Sequence, residues 1–234
     1  MKISIVVPCY NEEKIISDTY KEIKKEIERI SQKEDYEIIF ANDGSTDNTG
    51  EILKGISKKD DRVRVISWFP NKGVGYAYRR LYKISSGGIV IEMDADLSIK
   101  PEIIQSLINE IKVADVVIAS KYLGTSNKVP FLRKVSSRIF YFASKILFGI
   151  KVKDIGSGFA VFKRNVLESI ELESDGFEIY IETLAKIQRK GFKMKEIPAK
   201  YVHRENSRLS LLRHGPKTLF KTFLLWLKLR KIRL

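Results

Sequence analysis

The chain of 234 residues is poor in cysteine and histidine and has no long apolar run. Its single cysteine, Cys9, allows no disulfide within the chain, which fits a reducing compartment. The two histidines, His203 and His214, lack the spacing of a zinc site, and we expect both at the surface. No run of about 18 apolar residues occurs, so we expect no segment that spans a bilayer. The N-terminus carries no signal-peptide pattern, and we therefore expect a cytoplasmic protein.

Acidic residues are missing from the end of the chain. None follows Glu205, and the net charge of the whole chain is +14. Such a charge favours nucleic acid, anionic lipid or a phosphorylated substrate as the partner. The basic residues beyond Glu205 are Arg208, Arg213, Lys217, Lys221, Lys228, Arg230, Lys231 and Arg233.

The tail combines these charges with apolar residues at helical spacing, and residues 133–151 repeat that character. The apolar face of the predicted tail helix contains Leu219, Phe220, Phe223, Leu224, Trp226 and Leu227, opposite Lys217, Lys221 and Lys228. Basic amphipathic helices of this kind commonly lie in the membrane interface. The alternative is that both helices pack on the domain with basic outer faces. Nucleic acid is disfavoured, because no RNA- or DNA-binding module is recognisable.

Residues 1–120 alternate β-rich runs with amphipathic stretches. The predicted strands are 3–7, 36–41, 62–68, 88–93 and 115–120, and the predicted helices are 12–31, 46–57, 75–85 and 101–112. Asp47 or Ser45 is the expected N-cap of the second helix. This order predicts a mainly parallel α/β sheet covered by helices, with ligands bound beyond the carboxyl ends of the strands.

Polar motifs follow the predicted strands at those carboxyl ends. Residues 7–12 read Val-Pro-Cys-Tyr-Asn-Glu, residues 42–47 read Asn-Asp-Gly-Ser-Thr-Asp, and residues 93–96 read Met-Asp-Ala-Asp. Residues i and i+2 of a strand point the same way, so Asp94 and Asp96 can share a divalent cation that carries a nucleotide diphosphate. Two solvated loop acids would give the same spacing, and only the strand and the other motifs favour a metal site. The loop at 71–75 lacks a dinucleotide fingerprint, since Tyr78 occupies its third glycine position.

Taken together, the motifs resemble the inverting family 2 glycosyltransferases of the GT-A fold. In the first half this resemblance is carried by Pro8, Tyr10, Asn11, Glu12, Asn42, Asp43, Gly44, Ser45, Asp47, Asn71, Gly73, Gly75, Ala77, Asp94, Ala95, Asp96 and Leu97. The second half is similar to dolichyl-phosphate mannosyltransferases in Ser120, Lys121, Tyr122, Arg133, Ser137, Asp154, Ser157, Gly158, Phe159, Glu182, Glu196, Pro198 and residues 204–208. The resemblance implies a GT-A domain over 1–210, with a nucleotide-binding half (1–120), an acceptor half (121–210) and a basic amphipathic helix at 211–234.

The resemblance also implies roles for individual residues. Those implied to bind the donor nucleotide are Pro8, Tyr10, Glu12, Asp43, Asp94 and Ala95. Asp94 and Asp96 are implied to hold Mg²⁺ or Mn²⁺, and with Lys121 and Arg133 they form the catalytic set. The acceptor phosphate is implied to meet Arg133, Ser137, Arg204 and Arg208. Three positions depart from the family pattern and leave the donor open: Lys121 replaces an arginine, Arg208 a lysine, and Ser98 the glutamine of some members.

The chemistry of the acceptor decides which side chains are needed. A cation on Asp94 and Asp96 can neutralise the diphosphate that leaves a sugar nucleotide. A sugar hydroxyl acceptor needs a general base, which Glu178 or Glu182 could supply if neither is structural. A lipid monophosphate is already ionised and needs only positive charge to align it.

We therefore expect transfer of a hexose, as mannose from GDP-mannose, to a dolichyl or polyprenyl monophosphate with inversion, at the cytoplasmic face of an anionic membrane. A UDP-glucose-dependent polyprenyl-phosphate glucosyltransferase and a transferase acting on a glycan hydroxyl are enzyme alternatives. A non-catalytic scaffold that binds membrane surfaces or nucleic acid is the alternative from another class. A membrane-spanning partner subunit is also left open.

Overall fold

A computed structural model describes residues 2–31, 35–125, 141–202 and 211–231, with side chains omitted for 31, 211–217 and 231. Arg133, Ser137, Arg204 and Arg208 lie outside the described residues. Their predicted role in binding the acceptor phosphate therefore stays a prediction.

A seven-stranded sheet forms the centre of the described fold. Its strands are β1 (Ile3–Cys9), β2 (Tyr36–Asp43), β3 (Val63–Trp68), β4 (Ile89–Met93), β5 (Val116–Ser120), β6 (Phe159–Lys163) and β7 (Met194–Pro198). They lie in the order β3-β2-β1-β4-β6-β5-β7, and only β6 runs antiparallel to its neighbours. The carboxyl ends of β1, β2, β3 and β4 consequently share one edge of the sheet.

Helices cover both faces of this sheet. They are α1 (Ile16–Ser31), α2 (Thr49–Ser57), α3 (Val74–Ile84), α4 (Ile104–Glu110), the helical residues 141–148 (α5), α6 (Arg164–Glu168), α7 (Glu178–Arg189) and α8 (Leu211–Lys231), with a 3₁₀ turn at Pro101–Ile103. Successive strand residues enter opposite cores: Ile5 and Ile38 pack with α1, α2 and α4, whereas Val6 and Ile39 pack with α3 and α7. The strands are apolar on both faces because both faces are covered.

The predicted mainly parallel α/β fold is confirmed, and the five strands predicted within residues 1–120 are all present. The first helix begins at Ile16, later than predicted, because the chain turns sharply at Asn11, which has a φ of 55°. Asn48 occupies the N-cap of α2, while Asp47 Oδ1 accepts the Thr49 backbone N–H at 3.0 Å. Asp47 therefore makes the expected kind of contact one position earlier than a true N-cap.

Helix α8 packs on the domain mainly through residues outside the predicted apolar row. Thr222, Leu225 and Leu229 are buried, and both leucines join the core around α3 and α7. The predicted apolar residues Leu219, Phe220, Phe223, Leu224 and Leu227 are instead exposed. Trp226, the remaining residue of the predicted row, is partly buried and packs against the same core. Because the other five residues stay exposed, a partner for them has to be sought outside the domain. Across the described ranges, no helix is both long and apolar enough to cross a membrane.

Two lysines of α8 point toward the domain. Lys221 Nζ lies 3.3 Å from Glu178 Oε1, and Lys228 pairs with Glu173. The Arg189 guanidinium donates to the Leu229 carbonyl oxygen at 2.6 Å. The basic side of α8 is therefore partly neutralised by the body of the protein.

Candidate active site

The first two motifs meet because β1 and β2 are paired with Cys9 opposite Asn42. Beyond that pair, the Asn11 backbone N–H donates to Ser45 Oγ at 2.9 Å, and Asn11 Oδ1 accepts the Thr46 N–H at 2.6 Å. The left-handed φ of Asn11 lets its backbone and side chain face the β2 loop together, and asparagine tolerates that conformation better than most residues. The two loops thus form one surface, on which Tyr10 is 41% exposed.

Glu12 is held at the same surface. Its backbone N–H donates to Thr49 Oγ1 at 2.7 Å, which ties the end of the first motif to the start of α2. Pro8, which is partly buried, is the last residue but one of β1. The predicted donor-binding residues of the first motif therefore lie on a fixed loop at the carboxyl edge of the sheet.

Asp43 is buried and organises the loop that follows β3. Its Oδ1 accepts hydrogen bonds from Trp68 Nε1 at 2.6 Å and the Lys72 N–H at 2.8 Å. Its Oδ2 accepts from Asn71 Nδ2 at 2.8 Å and the Gly73 N–H at 2.9 Å. A carboxylate has about four lone-pair positions, so these four bonds fill them. A direct contact between Asp43 and a donor stays a prediction, while its role in shaping the 68–73 loop is observed.

The acidic pair follows β4 directly. Asp96 accepts the Ser98 N–H at 2.8 Å and the Ser98 hydroxyl at 2.6 Å, which fixes its orientation. Between the two acids, the Ala95 carbonyl accepts the buried Thr19 hydroxyl of α1 at 2.6 Å. The Asp-Ala-Asp turn is therefore anchored from inside the domain, with Asp94 facing the solvent of the cleft.

Asp94 has protein atoms close around it although its side chain reaches solvent. Desolvation and the negative charge of Asp96 raise the pKa of Asp94 to about 8, against the opposing effects of Lys121 and the Tyr180 hydroxyl. Two carboxylates that disfavour simultaneous ionisation are stabilised as anions when a divalent cation binds between them.

These residues fit a divalent cation. In the described part of the chain, no group of three or more histidine, cysteine, aspartate or glutamate side chains could hold a metal ion. A cation at Asp94 and Asp96 would therefore complete its shell with diphosphate and water oxygens, which suits Mg²⁺ and Mn²⁺.

Lys121 is paired with a buried acid. Its Nζ lies 2.7 Å from Asp154 Oδ1, its backbone N–H donates to Asp154 Oδ2 at 2.9 Å, and its ammonium lies over the Tyr122 and Tyr201 rings. Burial opposes the charge of Lys121, but Asp154 raises its pKa overall. Since Asp154 balances this charge, Lys121 alone contributes little net positive charge to a phosphate.

The two segments that end at Thr125 and Val202 lie beside the acidic pair. The Val202 N–H donates to the Ser98 carbonyl at 2.8 Å, and the Tyr201 N–H donates to the Thr125 carbonyl at 2.9 Å. A Cβ added at Gly124 would collide with Ala199, so only glycine fits where these segments touch. In sequence, Arg133 follows Thr125 and Arg204 follows Val202.

Glu178 and Glu182 make structural contacts. Glu182 accepts the Ser174 N–H at 2.8 Å and pairs with Lys186 at 2.6 Å. Burial would raise the pKa of Glu182, but these partners lower it. The loop they hold caps α3, since the Asp175 carbonyl accepts the Gly75 N–H at 2.8 Å. Neither glutamate is arranged as a general base, and Cys9 is equally inert because burial raises the pKa of its thiol.

The fold and the residues at the carboxyl edge of the sheet define a GT-A-type glycosyltransferase. The sheet is mainly parallel, an Asp-x-Asp turn follows β4, and the loops after β1 and β2 are joined by hydrogen bonds beside it. Residues 4–171 match the model of glycosyl transferase family 2, and the chain belongs to that family. The predicted family is thereby confirmed.

Curated relatives and a solved structure agree with this assignment. The chain is 35% identical over 204 residues to dolichol-phosphate mannosyltransferase of Pyrococcus furiosus, which covers 85% of this chain and 56% of the relative. It is 30% identical over 216 residues to polyprenol monophosphomannose synthase of Mycolicibacterium smegmatis, covering 86% and 77%. Glucosyl-3-phosphoglycerate synthase of Mycobacterium tuberculosis, solved with Mn²⁺ and UDP-glucose, superposes with a TM-score of 0.72 at 21% identity, covering 96% and 78%. That likeness shows the fold.

Proposed function

We propose that the protein transfers a hexose, namely mannose from GDP-mannose, to a dolichyl or polyprenyl monophosphate with inversion at the sugar carbon. The activities named for the relatives from P. furiosus, M. smegmatis and Micrococcus luteus support this choice. The chain spans only 56% of the first of these, so its complete activity is a proposal.

The observation that carries the proposal is that two acids near the carboxyl edge of the sheet are each paired with a lysine. Asp154 is bound to Lys121 and Glu182 to Lys186, while Asp94 and Asp96 are suited to a cation. A hydroxyl acceptor needs a carboxylate that is free to take its proton. An ionised lipid phosphate needs none, and its oxygen can attack the sugar carbon while the bond to the diphosphate breaks.

Donor binding is assigned to the carboxyl edge of the sheet. Pro8, Tyr10, Glu12, Asp43 and Ala95 would hold the nucleotide, and Asp94 would lie near its ribose. A Mg²⁺ or Mn²⁺ ion, when bound to Asp94 and Asp96, supplies neutralisation of the charge on the leaving diphosphate. The Mn²⁺ and UDP-glucose in the M. tuberculosis structure support a divalent cation.

Acceptor binding is assigned to the arginines, because Lys121 is already balanced by Asp154. Arg133 and Ser137 would receive the lipid phosphate, and Arg204 with Arg208 would close on the phosphates. Guanidinium groups bind phosphate through paired, charge-assisted hydrogen bonds, which align the attacking oxygen.

A lipid acceptor also requires a membrane surface. The exposed apolar row on α8, which includes Phe220 and Phe223 at 63% and 47% exposure, supports peripheral attachment to an anionic membrane at its cytoplasmic face. A membrane-spanning partner subunit is an alternative occupant of this row.

A transfer assay with radiolabelled donors tests the proposal. GDP-mannose and UDP-glucose would each be offered with polyprenyl monophosphate, polyprenol and a glycan acceptor, using Asp96→Asn as the inactive control. We expect label in the lipid-phosphate fraction with GDP-mannose only. Transfer from UDP-glucose would change the donor, transfer to the glycan would change the acceptor, and no transfer in any arm would favour a non-catalytic scaffold.

A further inference from the structure

Ser98 donates hydrogen bonds to both oxygens of the Asp96 carboxylate. Its backbone N–H donates to Asp96 Oδ1 at 2.8 Å, and its hydroxyl donates to Asp96 Oδ2 at 2.6 Å. A carboxylate has about four lone-pair positions, so these two bonds leave about two for other partners. The Asp43 carboxylate, by contrast, accepts four hydrogen bonds. Asp96 is therefore oriented by the protein and still able to bind a cation.

The residue between Asp96 and Ser98 has an unfavourable backbone conformation. Leu97 has a φ of 55°, in the left-handed region that leucine rarely adopts. The chain turns back there, and the N–H and the hydroxyl of Ser98 both face Asp96. The Leu97 side chain packs against the core on the α1 side of the sheet, which holds the turn in place. Strained backbone of this kind persists where surrounding contacts fix it, and it is concentrated at functional sites.

Ser98 is also held from its other side, by the segment that ends at Val202. The residue is only 7% exposed. Its carbonyl oxygen accepts the Val202 N–H at 2.8 Å, and the next residue, Ile99, forms an antiparallel bridge with Tyr201. The Ser98 hydroxyl therefore starts from a fixed backbone position. A donor that is fixed before the cation binds is pre-organised, whereas a solvated one would have to be ordered during binding.

We propose that Ser98 is a positioning residue for Asp96: it holds the carboxylate in the orientation that receives the cation of the donor, and it does not bind the cation itself. Ser98 stands where some members of the family have glutamine, but its shorter side chain already donates to Asp96. This inference rests on the proposed role of Asp96 as a metal ligand.

The test compares Ser98→Ala with Ser4→Ala. Each variant removes the hydroxyl of a buried serine that donates to a carboxylate, because Ser4 Oγ donates to Glu37 Oε1 at 2.7 Å. Ser4 and Glu37 lie near the amino ends of β1 and β2, whereas Asp96 follows the carboxyl end of β4. Ser4→Ala is therefore a matched control that leaves Asp96 untouched. A third variant, Ser98→Thr, keeps a hydroxyl at the position tested.

The measurement is Mn²⁺ binding, followed by the paramagnetic resonance of the free ion with GDP in one arm and UDP in another. Relaxation of water protons gives the number of water molecules on the bound Mn²⁺. Melting temperatures are recorded for every variant, so that loss of fold is separated from loss of affinity.

We expect Ser98→Ala to weaken Mn²⁺ binding about 10-fold, the lower end of the range for outer-shell partners of metal ligands, because the backbone N–H still donates to Asp96. Ser98→Thr should bind Mn²⁺ more tightly than Ser98→Ala, and Ser4→Ala should stay within about twofold of the wild type. The number of water molecules on the bound Mn²⁺ should be the same in Ser98→Ala and in the wild type.

Wild-type Mn²⁺ affinity in Ser98→Ala, or equal weakening in Ser4→Ala, would overturn the inference. One additional water on the Mn²⁺ of Ser98→Ala would also overturn it, because Ser98 would then be a direct ligand. If Ser98→Ala does not fold, Ser98→Cys takes its place with the same expectation, since a thiol is a weak donor.

Two results with the wild type separate this inference from the proposed function. A wild type that binds no Mn²⁺ with either nucleotide would refute the metal role of Asp96 and this inference with it. A wild type that binds Mn²⁺ but transfers no hexose would refute only the proposed function.

Discussion

Lys121 and Asp154 form a close ion pair, with Nζ and Oδ1 2.7 Å apart and the Asp154 side chain only 1% exposed. Asp154 is in turn fixed by its own backbone N–H, which donates to Glu196 Oε1 at 2.9 Å. The charge of Lys121 is therefore placed by tertiary contacts and largely cancelled by them.

Replacing one member of this pair should destabilise the protein more than replacing both members with apolar residues. We expect Lys121→Met to lower the free energy of unfolding by about 3 kcal/mol, because it leaves a buried carboxylate without its partner. The double variant Lys121→Met/Asp154→Leu should lose less than the sum of the single variants. Urea denaturation measures both, and additive losses would show that the two side chains are not coupled.

Activity should depend on a divalent cation held by Asp96. Asp96→Ala removes one of two candidate ligands, so the charge of the leaving diphosphate is poorly neutralised and transfer should be abolished. Asp18→Ala, at an exposed aspartate of α1, is the matched control and should keep full activity. The measurement is turnover with and without excess chelator. Near-normal turnover in chelator would remove the metal from the mechanism.

Arg133 should serve the acceptor and not the donor. We expect Arg133→Ala to raise the KM for lipid phosphate about 10-fold, as for the loss of a charge-assisted hydrogen bond worth about 1.5 to 3 kcal/mol. The KM for the sugar nucleotide should change little, and Arg29→Ala, at an arginine paired with Glu26 on α1, should change neither constant. Equal effects on both substrates would assign Arg133 to the donor or to folding.

The exposed row on α8 should bind anionic vesicles. Truncation cannot test this cleanly, because Leu225 and Leu229 are buried and their removal would open the core. We expect Phe220→Ser/Phe223→Ser to weaken co-sedimentation with anionic vesicles without a change in melting temperature. Leu229→Ser, at a buried position, should lower the melting temperature and leave the exposed row able to bind vesicles.

Salt separates the contributions to vesicle binding. Electrostatic attraction is screened as ionic strength rises, whereas apolar insertion persists. Lys221 and Lys228 are paired with Glu178 and Glu173, so we expect only a modest salt dependence from α8 itself. Wild-type sedimentation by Phe220→Ser/Phe223→Ser would mean that this row has another partner.

Glu37 should make stability depend on pH below the neutral range. Burial alone would raise its pKa, but hydrogen bonds from Ser4, Ser86 and Arg64 lower it from 4.5 to about 2. A carboxylate with a lowered pKa in the folded state stabilises the protein above pH 4.5, and this contribution is lost as pH falls toward 2. Glu37→Gln should remove at most about 3 kcal/mol at pH 7 and flatten the dependence between those values. Denaturation midpoints across pH check this, with exposed Glu51→Gln as the control.

The sequence determined the first half of the fold and the place of the site. Strand and helix periods are local properties, so the alternation in residues 1–120 predicted the parallel strands that the structure contains. The polar motifs had to meet because parallel strands end at one edge, and Asp94 and Asp96 were predicted as metal ligands from their spacing together with the preceding strand and the other motifs.

Other features depended on pairing between distant residues. Strand β6 lies antiparallel between β4 and β5, although it follows both in sequence, and no local period indicates such an insertion. The sequence left open whether α8 packs on the domain and through which side, because Leu225 and Leu229 and the exposed leucines are equally apolar in sequence. The four hydrogen bonds of Asp43 and the close approach of Gly158 to Asp94 also join segments far apart in the chain. Only the folded chain decides these contacts, since side chains of suitable chemistry become partners when the sheet and its helices set their distances.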